Sequence, residues 1–345
     1  MTGLSSPRIN GADAAKAAGL VVMYPNAAEE VYGGSLITEI AARVNLLAPV
    51  LSTEALIARP DLLKRVEVIF SGWGAPVMDQ AFLEKAPRLR AIFYAAGTVR
   101  GWATDHVWER GIVVTTASAA NAIPVADYTV AALFFSLKNG WHYALGAKRF
   151  ATQLPRASCA GAFRSKVGLV SLGMVARLVV ERLKFSDLEI LVYDPHVSAG
   201  QAAAAGVTLV SLGEIFSACD VVSLHAPLLP ETRGMIGREH FISMKQGATF
   251  INTARGEIVR ENELIKVLAN RGDLTAVLDV TAPEPPVENS PLYTLPNVVL
   301  TPHIAGSLGS ECRRLGQVMV DEFDRWSRGE ALRWQLTREK AALMA

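Results

Sequence analysis

Short runs of aliphatic and β-branched residues alternate with longer helix-like stretches through most of this chain. Leu20–Tyr24 (LVVMY), Val66–Phe70 (VEVIF), Ala91–Tyr94 (AIFY) and Ile112–Thr115 (IVVT) are nearly continuous apolar segments. Such runs, bounded by Gly, Pro or charged residues, are what parallel strands covered on both faces look like. From Val167 the rhythm restarts and becomes stricter. Val167–Leu172, Ile190–Tyr193, Val221–His225, Thr249–Thr253, Ala276–Val280 and Val298–Thr301 read as strands. Met174–Leu183, Leu212–Cys219, Glu239–Met244 and Glu261–Asn270 read as the helices between them. The alternation predicts an α/β protein built on a doubly wound parallel sheet. Asn121–Phe150 breaks the rhythm as one long helix-prone stretch, and Leu308–Trp326 is a second. Together they predict two βα domains joined by two helical crossings, with the C-terminal tail returning to the first.

A length of 345 residues agrees with two domains, at about 150 residues each. Half the residues are hydrophobic and 19% are charged, enough to bury a large core. Lys+Arg 34 against Asp+Glu 33 leaves a net charge of +1 with no long run of either sign. That balance argues against nucleic acid or an anionic membrane as partner. The longest uncharged apolar stretches, such as Tyr128–Leu137, are about half a membrane span. The N-terminus lacks the apolar core of a secretory signal. Cys159, Cys219 and Cys312 are odd in number and far apart, so they read as reduced thiols of a cytoplasmic protein without a zinc site.

Lys166–Arg177 (KVGLVSLGMVAR) carries a predicted strand into a glycine turn and then an apolar helix. In a dinucleotide-binding turn the glycines permit the bend, the approach of the pyrophosphate and close helix packing. Here only the central position, Gly173, keeps its glycine; Ser171 and Ala176 stand at the other two. Ala176 is a mild change, whereas the Cβ of Ser171 restricts the first bend. Asp194 follows 21 residues after Gly173, at the end of EILVYD. A carboxylate there can bind the ribose hydroxyls and would repel a 2′-phosphate, favouring NAD over NADP. The plainer alternatives are a βα junction with one glycine and an ordinary strand-ending Asp-Pro turn.

Four successive predicted strands end in polar or reactive groups: His225-Ala226-Pro227, Ala254-Arg255-Gly256, Pro283-Glu284-Pro285 and His303. In an open α/β sheet these ends share one rim, where ligands collect. Arg255 offers a donor fork matched to a carboxylate and able to polarise a neighbouring carbonyl. His303 can move a proton, and a carboxylate partner such as Glu284 would fix its tautomer. The set suits interconversion of a 2-hydroxy acid and a 2-keto acid with a nicotinamide cofactor. Taken singly, Arg255 also reads as a surface ion pair and His303 as a structural histidine.

At these residues the chain resembles the D-isomer-specific 2-hydroxyacid dehydrogenase family. The resemblance rests on INTARGEIV around Arg255, LDVTAPEPP around Glu284, TPHIAGS around His303, NAIPVADYT at Asn121–Thr129 and HAPLLPETRGMI from His225. Spacing agrees as well, with 29 residues from Arg255 to Glu284 and 19 more to His303. It implies a Rossmann NAD-binding domain, residues 119–304, inserted into a discontinuous flavodoxin-like substrate domain formed by residues 1–118 and 305–345. It places the active site in the cleft between them and implies a homodimer. It makes Arg255, Glu284 and His303 the catalytic trio. Gly173, Met174, Val175, Asp194, Ala226, Pro227, Thr253, Ala254 and Asp279 become cofactor contacts. Backbone N–H groups of Ala96, Gly97 and Thr98, with Arg255, become the binding site for the substrate carboxylate.

Departures from the family pattern are Ser171, Ala176, Asp127 in place of a usual Glu, and the loop AAGTVRGWATD at Ala95–Asp105. Glu284 argues against the formate dehydrogenase branch, which has Gln there. The length leaves no room for the C-terminal regulatory domains of longer phosphoglycerate dehydrogenases. Trp141, in KNGWHY, reads either as a dimer contact or as an aromatic packed within its own domain. The leading expectation is an NAD-dependent reductase of small 2-keto acids such as glyoxylate or hydroxypyruvate, or of larger analogues. Two alternatives stand beside it. One is an NAD(H)-sensing interaction protein on the same fold. The other is a dehydrogenase of phosphorylated 2-hydroxy acids such as 3-phosphoglycerate, with Arg100 as its sequence support.

Overall fold

The computed structural model describes residues 16–344, so the segment before Lys16, where the apolar core of a secretory signal was not expected, lies outside the described residues. The chain divides into two compact units, one made of residues up to Asn121 with Ser307–Met344, the other of Ala122–Gly306. Each is built on an all-parallel sheet.

The first unit contains β1 (Ala18–Val22), β2 (Asn45–Leu46), β3 (Val68–Ser71), β4 (Ala91–Tyr94) and β5 (Val113–Thr116). Their spatial order is β2-β1-β3-β4-β5, the flavodoxin-like winding. β3 and β4 are buried along their whole length, which is why they read as unbroken apolar runs. One face is covered by a core of Val21, Phe70, Phe93 and Phe323, among others. Phe323 belongs to the helix Cys312–Ser327, so the C-terminal segment does pack in this unit.

The second unit contains β6 (Lys166–Val170), β7 (Glu189–Tyr193), β8 (Thr208–Leu209), β9 (Val221–Leu224), β10 (Thr249–Asn252), β11 (Thr275–Leu278) and β12 (Val298–Leu300). They run β12-β11-β10-β9-β6-β7-β8. This is the doubly wound dinucleotide-binding order extended by one strand, and its winding reverses between β6 and β9. Helices Met174–Leu183 and Glu261–Asn270 coincide with the sequence reading. The two-residue edge strands β2 and β8 were too short to leave a pattern.

The long helical stretch is two helices, Ser118–Leu137 and Gly140–Phe150. Asn139 breaks it in the left-handed region at φ 53°, a conformation Asn tolerates better than most residues. A Cβ on Gly140 would lie 2.6 Å from the Phe135 ring, so a larger residue there would have to displace that ring. Trp141 then packs edge-on against Phe135, centroids 4.6 Å apart, and donates Nε1–H to Ser136 Oγ at 3.0 Å. Those contacts match the reading of Trp141 as an aromatic packed within its own domain. Ser118–Leu137 is long and apolar enough to cross a membrane by length and composition, but half of it is buried in the protein. Ala126, Ala132, Leu133 and Leu137 join a core cluster with β6 residues, as in a core helix.

Candidate active site

The glycine turn forms at the end of β6, where Ser171 takes φ 78° and Gly173 caps the helix Met174–Leu183. The restriction expected of Ser171 is therefore met by a left-handed serine, a conformation that costs energy without a compensating contact. The contact is present. Ser171 Oγ donates to Asp194 Oδ2 at 3.1 Å, and Leu172 N–H donates to the same oxygen at 2.8 Å. Asp194 Oδ1 accepts the His196 N–H at 2.8 Å, which leaves lone pairs on the carboxylate for a further donor. A Cβ built on Gly173 would meet nothing within 4 Å, so the approach to the helix start is open beside Met174 and Val175.

Arg255 follows β10 and is oriented by a buried Asn252. That side chain accepts the Ala254 N–H at 3.0 Å and donates to the Arg255 carbonyl at 3.1 Å. Arg255 Nη1 donates to the Ala254 carbonyl at 2.6 Å. Burial pulls the guanidinium below its usual pKa, opposed by the carboxylates of Glu284 and Glu257. The next residue sets the distance to the following loop. A Cβ on Gly256 would sit 2.0 Å from the Thr281 carbonyl carbon, so glycine alone allows the two loops to touch. Glu261 braces that second loop, its Oε2 accepting the Ala282 N–H at 2.8 Å.

Glu284 and His303 meet: Nδ1 lies 2.7 Å from Glu284 Oε1, both side chains partly open to solvent. His303 sits at φ 55° and is held by Asp279. Its N–H donates to the Asp279 carbonyl at 3.0 Å, and the Asp279 carboxylate accepts Ile304 N–H and Ala305 N–H, each at 2.8 Å. Thr301 Oγ1 adds a third bond to that carboxylate at 2.6 Å and is itself bonded to the Tyr128 hydroxyl at 3.0 Å. Asp279, expected as a cofactor contact, is thus a buried brace with both carboxylate oxygens engaged inside the chain.

The remaining expected contacts stand at neighbouring strand ends. Ala226 is buried after β9, and the Pro227 carbonyl accepts Thr232 Oγ1 at 2.5 Å. Thr253 Oγ1 and His225 Nε2 are buried without a hydrogen-bond partner. Burial pushes the His225 ring down to about 4, so it is neutral. In the other unit, Ala96, Gly97 and Thr98 form the loop after β4. The Ala96 carbonyl accepts Ala117 N–H at 3.1 Å, and Thr98 Oγ1 accepts Arg100 N–H at 3.3 Å. Arg100 is engaged with the C-terminal segment, where Nη2 donates to the Ala342 carbonyl. Asn252, Glu261, Thr301 and Tyr128 support the site without having been expected from the sequence. Of these only Asn252, a polar residue closing an apolar strand, left a local signal.

Residues 139–305 match the family model for the D-isomer specific 2-hydroxyacid dehydrogenase NAD binding domain. An (S)-sulfolactate dehydrogenase of Chromohalobacter salexigens is 33% identical over 72% of this chain and 81% of its own length. The chain belongs to the D-isomer specific 2-hydroxyacid dehydrogenase family. A D-3-phosphoglycerate dehydrogenase of Methanocaldococcus jannaschii is likewise 33% identical, over 72% of this chain and 47% of its own. This family member therefore spans about half the length of the phosphoglycerate dehydrogenases it matches. The NAD-complexed D-isomer specific 2-hydroxyacid dehydrogenase of Lactobacillus delbrueckii ssp. bulgaricus shares the fold. Its TM-score is 0.76 at 21% identity, covering 93% of this chain and all of that one.

The seven-stranded unit is the family's NAD-binding domain, and its groups fit the cofactor. The space beside Gly173 is open, Asp194 keeps acceptor capacity for ribose hydroxyls, and the Thr253 hydroxyl has no other partner. The helix start at Met174 offers unpaired N–H groups to a pyrophosphate.

Proposed function

We propose that this chain is an NAD-dependent oxidoreductase that interconverts a D-2-hydroxy acid and a 2-keto acid, working as a 2-keto acid reductase. The observation that carries the reading is the His303–Glu284 pair at 2.7 Å, on a loop pressed by Gly256 against the one bearing Arg255. Because Nδ1 is committed to Glu284, Nε2 is the nitrogen that carries the working proton. The Arg255 fork binds the substrate carboxylate and draws charge from the carbonyl beside it. His303 Nε2 then gives its proton to the carbonyl oxygen as that oxygen becomes a hydroxyl. Glu284 keeps the ring oriented and stabilises its protonated form. When bound, NADH supplies the hydride for the carbonyl carbon. Ala96, Gly97 and Thr98 have main-chain N–H groups suited to a substrate carboxylate. Gly173, Met174, Val175, Asp194, Ala226, Pro227, Thr253, Ala254 and Asp279 contact the cofactor.

The relatives named phosphoglycerate dehydrogenases favour a second reading, a phosphorylated 2-hydroxy acid as substrate. Arg100, its support in the sequence, is engaged on the Ala342 carbonyl. The test is a panel of 2-keto and 2-hydroxy acids with NADH, NADPH and their oxidised forms. Oxidation of NADH by at least one keto acid is expected. Binding of NADH without turnover on the whole panel would replace the enzyme by a sensor, and a preference for NADPH would overturn the role given to Asp194.

A further inference from the structure

The loops after β1, β3 and β4 of the five-stranded sheet have an unusual surface for a protein whose relatives are named for phosphorylated or sulfonated substrates. Tyr24 is 59% exposed, Val77 53% and Trp73 36%. Among the described residues of 24–27, 72–77 and 95–102 the one cation is Arg100, which is engaged with the Ala342 carbonyl. Apart from Arg100, these loops offer a phosphate only neutral donors, main-chain N–H groups and side chains such as Tyr24 and Thr98.

The aromatic groups are also fixed in place. Tyr24 N–H donates to the Trp73 carbonyl at 2.8 Å, and Thr53 Oγ1 donates to the Gly74 carbonyl at 2.8 Å. Gly74, at φ 90°, has the Tyr24 ring where its Cβ would be, 2.6 Å away. Gly72 is as closely packed, with Met23 Cε 2.6 Å from the position of a Cβ and the Ala95 carbonyl 3.7 Å from it. Three strand ends therefore meet at Gly72, and the GWG turn stands next to Ala95, the residue that leads into the Ala96–Thr98 loop. A part-exposed indole on a turn whose main chain is held offers apolar surface at a fixed place, so little main-chain freedom is lost on binding.

We infer that the substrate is a 2-keto acid whose C3 carries a bulky apolar group, aryl or branched alkyl, seated on Trp73 and Tyr24. This rests on the dehydrogenase reading, with the carboxylate at Ala96–Thr98. Trp73 is then the residue that selects the tail. It takes no part in the proton transfer.

The test compares kcat/KM for phenylpyruvate, 4-methyl-2-oxopentanoate, hydroxypyruvate, 3-phosphohydroxypyruvate and glyoxylate with NADH. Phenylpyruvate or 4-methyl-2-oxopentanoate is expected to exceed hydroxypyruvate by roughly tenfold or more, the scale on which an apolar pocket discriminates. Trp73→Ala should erase that ratio by raising KM for the apolar acids, with glyoxylate little affected, and Trp73→Phe should keep most of it. Preference for 3-phosphohydroxypyruvate or hydroxypyruvate in the wild type overturns the inference. So does an equal loss on all five acids in a Trp73→Phe variant that keeps the wild-type melting temperature. Absence of turnover on every acid, with NADH bound, instead sinks the dehydrogenase reading itself.

Discussion

The two sheets of this protein end in loops of opposite character. Beyond the seven-stranded sheet stand Arg255, Glu284 and His303, and buried polar groups hold their loops: Asn252 under Arg255, Asp279 under His303, Glu261 on the loop before Glu284. Beyond the five-stranded sheet stand Tyr24, Trp73 and the Ala96–Thr98 loop, placed by glycines and main-chain bonds. The difference follows from what each must do. A group that moves a proton or holds a charge has to be oriented to within a fraction of an ångström, and buried hydrogen bonds supply that. Main-chain N–H groups, as proposed at Ala96–Thr98, and an apolar surface are placed by the course of the backbone, and close backbone packing sets that.

The sharpest way to break this comparison is to remove the charged groups. His303→Ala is expected to lower kcat roughly a thousandfold, within the range found for general acid–base groups, with KM little changed. Arg255→Ala should act mainly by raising KM for the keto acid. Steady-state kinetics of the two variants separates these effects. Wild-type behaviour in both would be incompatible with the proposed roles.

Two glycines sharpen it next. Gly256→Ala places a methyl carbon 2.0 Å from the Thr281 backbone. Overpacking of this kind costs about 1–3 kcal/mol or more, so thermal unfolding should begin at a lower temperature and activity should fall. Gly97→Ala meets nothing within 4 Å and should leave the melting curve unchanged. Equal losses in the two variants would mean that the loops of both units are close-packed alike.

How much of this was legible in the sequence follows the range of the interactions. Burial on both faces makes β3, β4, β9 and β10 read as apolar runs, and the alternation fixes which end of each strand Arg255 and His303 occupy. Apart from Asn252, the braces are long-range and leave no local mark: Tyr128 and Thr301 lie 173 residues apart, Asp279 and Ala305 26 apart. Ser171 was legible as a departure, but the hydroxyl bond to Asp194 that accompanies its φ of 78° was not. The break at Asn139 was hidden because the helical composition continues across it. Asp279 shows the reverse case, a residue whose motif suggested a ligand contact and whose carboxylate also holds its own loop, through bonds to Thr301, Ile304 and Ala305.

Acid should also separate the two units. His225 is neutral when folded, with a pKa of about 4 against 6.5 when free, and burial lowers His240 as well. Between those values the unfolded chain binds more protons than the folded one, so stability is complete above about pH 6.5 and declines as pH falls toward 4. For His225 the decline amounts to at most about 3 kcal/mol. Hydrogen exchange should therefore show the seven-stranded unit loosening first between pH 6.5 and 4, and His225→Leu should flatten that slope. Earlier loosening of the five-stranded unit would assign the acid sensitivity elsewhere.

The smallest effect concerns the outermost brace. Tyr128 reaches His303 only through Thr301 and Asp279, and burial holds its phenol above the usual pKa, so it stays protonated as a donor. Tyr128→Phe keeps the ring and removes one hydrogen bond, worth about 1 kcal/mol. The melting temperature should fall by roughly 2–4 °C for a unit of this size. If the loss is felt at the His303 loop, kcat should fall by less than about tenfold, the factor that 1.36 kcal/mol represents, with NADH affinity unchanged. Thr98→Ala in the other unit removes a single exposed bond to the Arg100 N–H and should change the melting temperature less than Tyr128→Phe does. A kcat loss in Tyr128→Phe as large as that of His303→Ala would mean that Tyr128 belongs with the reacting groups and not with the frame that holds them.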